Sequence, residues 1–476
     1  MKFEVLTTAD IELVHKKSLE LLERAGINVD SPKIIDMMEK AGCQIDREKN
    51  NIKFTAKFVE DSIKLAPQKF ILGSFDGKND MLLGEGNTYI ATDGQGVFAA
   101  DLETGERGYS TMNDLTDAAR ISDVLDYITC FWPIITAGDV PAGSRTLHEV
   151  VEIWKVSSKH VMSDCFSEEQ ALYYMDILDE ILGSREEVKK RNLFSACCCP
   201  VTPLLYEGEM LEGTIKLGEA GVPVLILPMP IAGTTAPMSL LSTIIQNNAE
   251  VLAGNAILQT ANPGRAVLYG AAAGVLDMST TLFCVGSAEG ALQNVACGEM
   301  AKHYGLPGFV CVGGADAQTP GIQATIERTS QMLAGYLGRA DLLCGVGLTG
   351  TAQYLYREEL IIAEDIVGYC KRIADGIRTG EEHTLTDLAV GIGPGGNFLA
   401  EESTVEYLYN GEHYRPKTFC RDNSANWENS PKKDIMEFAR NKAREILAGP
   451  AKDNYGEDKY NKLKAILIKA DEALQE

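Results

Sequence analysis

The sequence lacks the features that identify several large classes of protein. No apolar stretch approaches the about 20 residues that span a bilayer. The N-terminus, MKFEVLTTADIELVHKK, alternates charged with apolar residues and so has no signal-peptide core. Positive charge is scarce, because 44 Lys and Arg face 68 Asp and Glu, and a net charge of −24 repels nucleic-acid phosphates and anionic lipids. We therefore expect a cytoplasmic globular protein with neither nucleic acid nor membrane as a partner.

Paired cysteine spacing is also missing. The 12 cysteines lie mostly in apolar runs such as SACCCP, FVCVGG and DLLCGVG, and none has the spacing typical of a zinc site. They are predicted to be reduced thiols in a core. Cys199 ends one such run, and a buried, inert thiol is the ordinary interpretation of that position.

Three regions differ in their sequence patterns. Residues 1–110 begin with two amphipathic helical segments and continue as a Gly-rich, hairpin-like stretch. In residues 111–400, apolar strand-like runs alternate with amphipathic helical segments. Residues 401–476 are charged and helical. We predict an N-terminal appendage, a central domain and a C-terminal helical tail, whose apolar stripes favour a homo-oligomer.

The central region predicts an α/β fold. Its strand-like runs are 129–136, 160–164, 193–199, 222–228, 266–271, 308–314, 341–347 and 388–393. Near-continuous apolar strands that alternate with helices indicate a parallel sheet buried on both faces, and eight such units favour a closed (β/α)8 TIM barrel. An open Rossmann-like sheet is the alternative, but no run is followed by Gly-x-Gly-x-x-Gly with an acidic residue about 20 positions later.

Active sites of such barrels lie where the strands end, and here those positions lack histidine and lysine. None of the six histidines and no lysine follows a predicted strand, so a metal site, a histidine proton relay and a Schiff-base lysine have little support. Aromatic residues and carboxylates remain. Aromatic faces beside a carboxylate suit a quaternary ammonium, which has no hydrogen to donate. The predicted substrate-binding residues are Tyr89, Asp93, Phe131, Trp132, Asp164, Thr234, Thr235, Asp316, Tyr354, Tyr356 and Glu358.

Structural roles are open for several of these residues. Phe131 and Trp132 lie in a strand-like run, where aromatic side chains commonly form core. Tyr354 and Tyr356 also fit helix packing, and Asp164 and Asp316 also fit helix caps. No catalytic side chain is predicted.

The segment MPIAGTTAPMSL follows the most apolar strand-like run. We expect Thr234 or Thr235 to cap a helix that has Pro237 in its first turn. The free N–H groups of that helix would then face a substrate carboxylate at the barrel mouth.

Several longer blocks resemble one known family. They are AGTTAPMSLLSTIIQNNAEVLAG, PGRAVLYGAAAGVLDMSTT, GSAEGALQNVACGEMAKHYGLPGFVCVGGADAQ, GPGGNFLAEEST and RPKTFCRDNSANW. Over nearly the whole chain the sequence resembles the trimethylamine methyltransferase superfamily, in the branch without pyrrolysine. The resemblance implies a TIM-type barrel that moves a methyl group from a quaternary amine, such as glycine betaine, proline betaine or carnitine, to the Co(I) of a separate corrinoid protein. It implies no tightly bound cofactor on this chain and a role in one-carbon metabolism of the methanogenic or acetogenic type.

This implied chemistry agrees with strand ends that lack histidine and lysine. A quaternary ammonium leaves as a neutral tertiary amine, so orientation of the methyl group and exclusion of water suffice. We expect trimethylamine to be a poor substrate. Members often carry a histidine where this chain has Ser403, and the stretch GADAQ departs from theirs at Ala315 and Gln318. The pyrrolysine-equivalent position is expected in or near strands six to seven.

Two other functions are open at this point. One is a betaine-binding barrel without catalysis. The other is a barrel lyase that acts on a phosphorylated substrate, which would require a lysine or a metal at a strand end.

Overall fold

Eight parallel strands close into a barrel at the centre of the computed structural model, which describes residues 3–475. The barrel strands are β1 Tyr89–Thr92, β2 Ile128–Phe131, β3 His160–Asp164, β4 Phe194–Cys198, β5 Val224–Ile226, β6 Val267–Ala271, β7 Gly308–Cys311 and β8 Leu342–Val346. Each strand pairs in parallel with the next, and β8 closes the ring by pairing with β1, with Leu342 opposite Tyr89. The predicted (β/α)8 TIM barrel is confirmed.

Seven of the eight predicted runs overlap a barrel strand, and one does not. The strand predicted at 388–393 was wrong, because Thr386–Ile392 form a helix in which Val390 is 75% exposed. The missing strand is β1, which lies inside the Gly-rich stretch that we assigned to the N-terminal appendage. Short apolar runs do not distinguish a buried strand from a helix, and β1 has only four residues. The barrel strands thus begin before residue 111; the division of the chain into three regions otherwise stays a prediction.

Helices surround the barrel and continue beyond it. They are α1 Thr8–Arg24, α2 Pro32–Lys40, α3 Ala56–Ile63, α4 Met112–Asp123, α5 Arg145–Val156, α6 Glu168–Leu182, α7 Arg185–Arg191, α8 Gly208–Glu219, α9 Leu240–Ala261, α10 Ala288–Tyr304, α11 Ile322–Gly338, α12 Arg357–Asp375, α13 Thr386–Ile392, α14 Glu402–Tyr409, α15 Ser424–Trp427, α16 Ile435–Ala448 and α17 Gly456–Ala473, with a 3-10 turn at Glu381–His383. Within residues 3–475, none of these helices has the length and apolarity needed to cross a membrane.

Shorter strands lie outside the barrel. They are Ile27–Val29, Gln44–Asp46, Asn51–Lys53, Phe70–Leu72, Met81–Leu83, Phe98–Ala100, Arg107–Tyr109, Leu205–Tyr206, Ile231–Ala232, Gly274–Leu276, Phe283–Cys284, Leu348–Thr349 and Tyr354–Leu355. Two small sheets built from the segments that follow β1, β5, β6 and β8 rise above the carboxyl ends of the barrel strands.

A hairpin of Phe70–Leu72 and Met81–Leu83 closes the amino end of the barrel. Leu72, Met81 and Leu83 of this hairpin are fully buried in the same apolar cluster as the inward-facing barrel residues. The hairpin also contacts the amino ends of the strands, since the Gly84 N–H donates to the Asp341 carboxylate over 2.7 Å just before β8. The cluster inside the barrel is therefore continuous from the hairpin to the level of Trp132.

The two last helices pack on the chain's own barrel. Helix α16 contacts α4 and α12, and α17 contacts α5 and α6. Their apolar faces are buried there, including Ala443 on α16 and Leu463 on α17. The stripes from which we expected an oligomer are therefore occupied within one chain, and the homo-oligomer stays a prediction.

Candidate active site at the carboxyl end of the barrel

A cavity of about 170 Å³ opens where the barrel strands end. It is lined by Asp93, Gly94, Trp132, Leu227, Met229, Ala272, Ala273, Phe283, Val285, Cys311, Gly314, Gly345, Thr351 and Ala352. Most of these residues end or directly follow β1, β2, β5, β6, β7 and β8, so the cavity occupies the position in which (β/α)8 enzymes bind substrate. The lining contains two aromatic rings, one carboxylate and no basic side chain.

The indole of Trp132 forms one wall of the cavity. Its main chain is held by Thr92, whose hydroxyl accepts from the Trp132 N–H over 2.9 Å and donates to the Trp132 carbonyl over 2.7 Å. The ring meets Phe309 edge-on, with 6.3 Å between the ring centroids. A Cβ on Gly94 would lie 2.4 Å from the indole, so glycine is required there for Trp132 to keep this position.

The carboxylate of Asp93 faces the same cavity. Asp93 follows β1 directly, and its Oδ1 accepts from the Gly94 N–H over 3.0 Å. Burial by the surrounding barrel raises the pKa of this carboxyl to about 6, and the Gly94 N–H and the charge of Arg328 oppose that rise only in part. Near neutral pH the group carries a negative charge that a cation in the cavity would stabilise.

Arg328 holds together the loops behind the cavity. This side chain on α11 is fully buried and forms an ion pair with Glu359. It also donates to the carbonyls of Gly313, over 2.9 Å, and of Leu348, over 2.6 Å. These contacts join the segments that follow β7 and β8. The position of the Gly345 wall of the cavity therefore depends on Arg328.

Of the eleven predicted site residues, Asp93 and Trp132 line this cavity. Tyr89 lies at the amino end of β1, where its hydroxyl accepts from the Leu82 N–H over 3.1 Å. Phe131 is fully buried in the apolar layer outside the barrel. Its side chain alternates with that of Trp132 along the strand, as the two-residue period requires. Tyr89 and Phe131 therefore lie apart from the cavity.

Tyr354 and Tyr356 do contact a cation, but this cation is the side chain of Arg107 of the same chain. The guanidinium carbon of Arg107 lies 3.8 Å from the ring centroid of Tyr354. The Nε of the same arginine donates to the Tyr356 hydroxyl over 2.8 Å. Arg107 therefore occupies the faces that we expected to bind a quaternary amine.

Thr234 and Thr235 lie in a turn rather than at a helix start. The Thr235 hydroxyl accepts from the Ile231 N–H over 2.9 Å. The following helix, α9, begins at Leu240 with Ser239 as its cap, so Pro237 precedes its first turn. The predicted cap was wrong by a few residues, because the Thr235 hydroxyl accepts a hydrogen bond within a tight turn and Ser239 caps the helix instead.

The other three predicted carboxylates have partners of their own. Asp316 accepts from the Val285 N–H over 2.8 Å and so positions a residue of the cavity wall; it caps no helix, since α11 begins after Gly321. Glu358 pairs with Arg440 over 2.9 Å, which joins α12 to α16. Asp164, at the end of β3, accepts from the Gln95 amide, and burial raises the pKa of its carboxyl to about 6.

The sequence prediction missed Phe283, the second aromatic ring of the cavity. It lies in Phe283–Cys284, a two-residue strand well beyond the end of β6. Only the pairing of this strand with Gly274–Leu276 brings the ring over the mouth. No local signal in the sequence marks it.

Comparisons with known proteins agree with this architecture. The family model described as trimethylamine methyltransferase (MTTB) matches residues 1–474. The chain belongs to this family. The family resemblance and the methyltransferase class that the sequence predicted are therefore confirmed.

Individual relatives carry two different substrate names. The trimethylamine methyltransferase MttB of Methanosarcina barkeri is 29% identical over 100% of this chain and 97% of its own length. The glycine betaine methyltransferase of Desulfitobacterium hafniense is 27% identical over 94% of this chain and 93% of its own. Among solved structures, the monomethylamine methyltransferase MtmB of Methanosarcina barkeri aligns with a TM-score of 0.53 at 13% identity and covers 93% of this chain and 89% of its own. This last similarity supports the fold alone.

Proposed function

We propose that this methyltransferase moves a methyl group from a small quaternary amine of the betaine type to the Co(I) of a separate corrinoid protein. The observation that carries the proposal is that the Trp132 ring and the Asp93 carboxylate line the same cavity at the carboxyl end of the barrel. A ring face attracts a poorly hydrated ammonium by about 0.5 to 2 kcal/mol, and a carboxylate within reach adds to that attraction.

The lining suits a reaction that transfers no proton. A quaternary amine leaves as a neutral tertiary amine when its carbon–nitrogen bond breaks, so neither an acid nor a base is required. The lining offers no histidine, lysine or arginine for such a role. What the chain supplies is a fixed direction for the N-methyl group and walls that exclude water. The acceptor on the partner supplies the nucleophile and is a second substrate, not a resident group.

The size of the cavity supports a small substrate. An apolar cavity of ~150 Å³ holds a molecule the size of benzene, and the cavity described above has about 170 Å³. Glycine betaine is close to that size, whereas proline betaine and carnitine are larger. The relative named glycine betaine methyltransferase, 27% identical along most of both chains, supports the same substrate class.

A corrinoid assay tests the proposal. The chain is mixed with its cognate corrinoid protein in the Co(I) state and with glycine betaine, proline betaine, carnitine or trimethylamine, and cobalt absorbance is followed. We expect methylation with at least one quaternary amine and little with trimethylamine. Binding by calorimetry without any methylation would favour the betaine-binding barrel instead. The absence of both binding and methylation would refute the proposal.

A further inference from the structure

Three potential metal ligands converge beside the mouth, outside the cavity described above. They are Asp164 at the end of β3, Cys197 in β4 and Cys199 directly after β4. One carboxylate oxygen and the two Sγ atoms all lie within 4.8 Å of one another. Across residues 3–475, no other group of three His, Cys, Asp or Glu side chains meets the same distance criterion.

The fold itself produces this convergence. Strands β3 and β4 pair in parallel with Asp164 opposite Cys197, so both side chains point to the same face. Cys197 and Cys199 are two residues apart and also share that face. Cys198 lies between them, points into the core outside the barrel and is fully buried there. The triple-cysteine run therefore presents two thiols inward and one outward.

The separation of the two sulfurs is compatible with zinc. Zinc bound by thiolate has Zn–S bonds of about 2.3 Å, which in a tetrahedron places two sulfurs about 3.8 Å apart. The Sγ atoms of Cys197 and Cys199 are 3.6 Å apart. Two sulfurs and one carboxylate oxygen form a donor set that suits zinc better than a hard cation such as Mg²⁺ or Ca²⁺.

We propose that Asp164, Cys197 and Cys199 bind a zinc ion as three protein ligands and leave its fourth position open. One supporting contact holds the Asp164 carboxylate and another holds its main chain, as is usual around metal ligands. The Gln95 side-chain amide donates to the Asp164 carboxylate, and the Tyr174 hydroxyl donates to the Asp164 carbonyl over 2.9 Å. Cys199 is only partly buried, which gives the ion a route of entry from solvent.

Charge and proton balance are consistent with this site. The neighbouring Cys199 thiol and burial raise the pKa of Cys197, so the metal-free thiol is protonated. Zn²⁺ binds the thiolate form of cysteine, so binding releases protons to the solvent and affinity should rise with pH. Two thiolates and one carboxylate leave the loaded site with a single net negative charge. A loaded site would therefore not repel a cationic substrate in the neighbouring cavity.

Metal titration of the reduced, full-length chain tests the site. After removal of metal with a chelator, zinc is added in competition with a chromophoric chelator, and Co²⁺ is used as a spectroscopic probe. We expect one zinc per chain. We also expect the intense visible bands of tetrahedral Co²⁺ together with a thiolate-to-cobalt charge-transfer band. Cys197→Ala and Cys199→Ala should each weaken zinc binding by at least about 10- to 100-fold, and Cys198→Ala provides the matched control with wild-type affinity.

A milder variant covers the case in which an alanine variant fails to fold. Asp164→Asn keeps the shape of the side chain; we expect weaker zinc binding while the thiolate-to-cobalt band persists. Absence of saturable zinc binding in the wild-type chain would overturn the proposal. Equal loss in Cys198→Ala, or a weak octahedral Co²⁺ spectrum without the charge-transfer band, would also overturn it. None of these readouts depends on methyl transfer, so they are independent of the proposed function.

Discussion

The Asp93 carboxylate should destabilise the folded chain and strengthen the binding of a cation. The variant Asp93→Asn measures these two effects separately. The pKa of this carboxyl rises from 3.8 to about 6 on folding. At about 1.36 kcal/mol per pKa unit, the charged group costs about 3 kcal/mol in the folded state at pH 8. Water in the cavity and the amide of the new Asn reduce the gain on substitution, so we expect Asp93→Asn to stabilise the fold by about 1 to 3 kcal/mol.

The destabilisation by the charged Asp93 carboxylate should depend on pH in a defined direction. Below about pH 3 the carboxyl is protonated in both the folded and the unfolded chain and has no effect on the free energy of unfolding. Between about pH 3 and 6 the folded chain retains the proton more strongly, so stability falls as pH rises through this window. Above pH 6 the full cost is present. For 476 residues, an unfolding entropy of about 2.1 cal/mol/K per residue means that 1 kcal/mol shifts Tm by only about 1 °C.

Calorimetry measures both effects of the substitution. We expect Tm of Asp93→Asn to exceed that of the wild type at pH 8 by about 1 to 3 °C and to match it near pH 3. The affinity for a quaternary amine should fall by on the order of 100-fold, because a cation ~5 Å from a carboxylate gains ~3 kcal/mol at an effective dielectric constant of ~20.

Glu149→Gln is the control for this experiment. Burial raises the pKa of Glu149 to about 7, but its carboxylate accepts from the Ala137 N–H over 2.8 Å and does not line the cavity. This variant should change the dependence of stability on pH and leave amine affinity unaltered. If Asp93→Asn binds the amine as tightly as the wild type, or loses stability at pH 8, the role that we assign to this carboxylate is wrong.

Further expectations concern the neighbouring residues. Trp132→Ala should weaken amine binding by about 1 to 2 kcal/mol in calorimetry, whereas Tyr356→Ala should lower Tm without changing affinity; the reverse pattern would move the binding site. Gly94→Ala should reduce amine affinity like the tryptophan variant, because the added methyl group displaces the indole; unchanged affinity would contradict that geometry. Arg328→Met should destabilise the fold by about 3 to 5 kcal/mol in denaturant unfolding, because Glu359 is left charged and buried, and a loss below 1 kcal/mol would show that the pair is not structural.

Strand periodicity predicted seven of the eight barrel strands, and each of its two failures has a local cause. Runs such as that of β6 are apolar on both faces because helices cover one side and the barrel interior the other. β1 has only four residues between Gly-rich loops, so its sequence does not differ from that of a surface hairpin. The run at 388–393 is apolar but lies in an exposed helix, and its composition alone favoured a strand.

The site was predictable only where a side chain directly follows a strand. Asp93 and Trp132 do so and line the cavity. Phe283 reaches the mouth through a small sheet that no local pattern reveals. The rings of Tyr354 and Tyr356 are engaged by Arg107, a contact between residues far apart in the chain.

The cysteine cluster illustrates the same limit of sequence reasoning. Spacing rules search for ligand pairs along the chain. Here Asp164 and Cys197 meet across two neighbouring strands, so the pairing of those strands and not their spacing brings the ligands together.

The hairpin around Leu72 and Met81 has a kinetic consequence for the proposed reaction. Because this hairpin closes the amino end of the barrel, amine and cobalt must both approach through the carboxyl end. A corrinoid protein docked over the mouth would then prevent the amine from entering and the demethylated product from leaving. Steady-state kinetics should therefore be ordered, with the amine binding first and the partner protein second. Excess partner should inhibit turnover by trapping the empty enzyme.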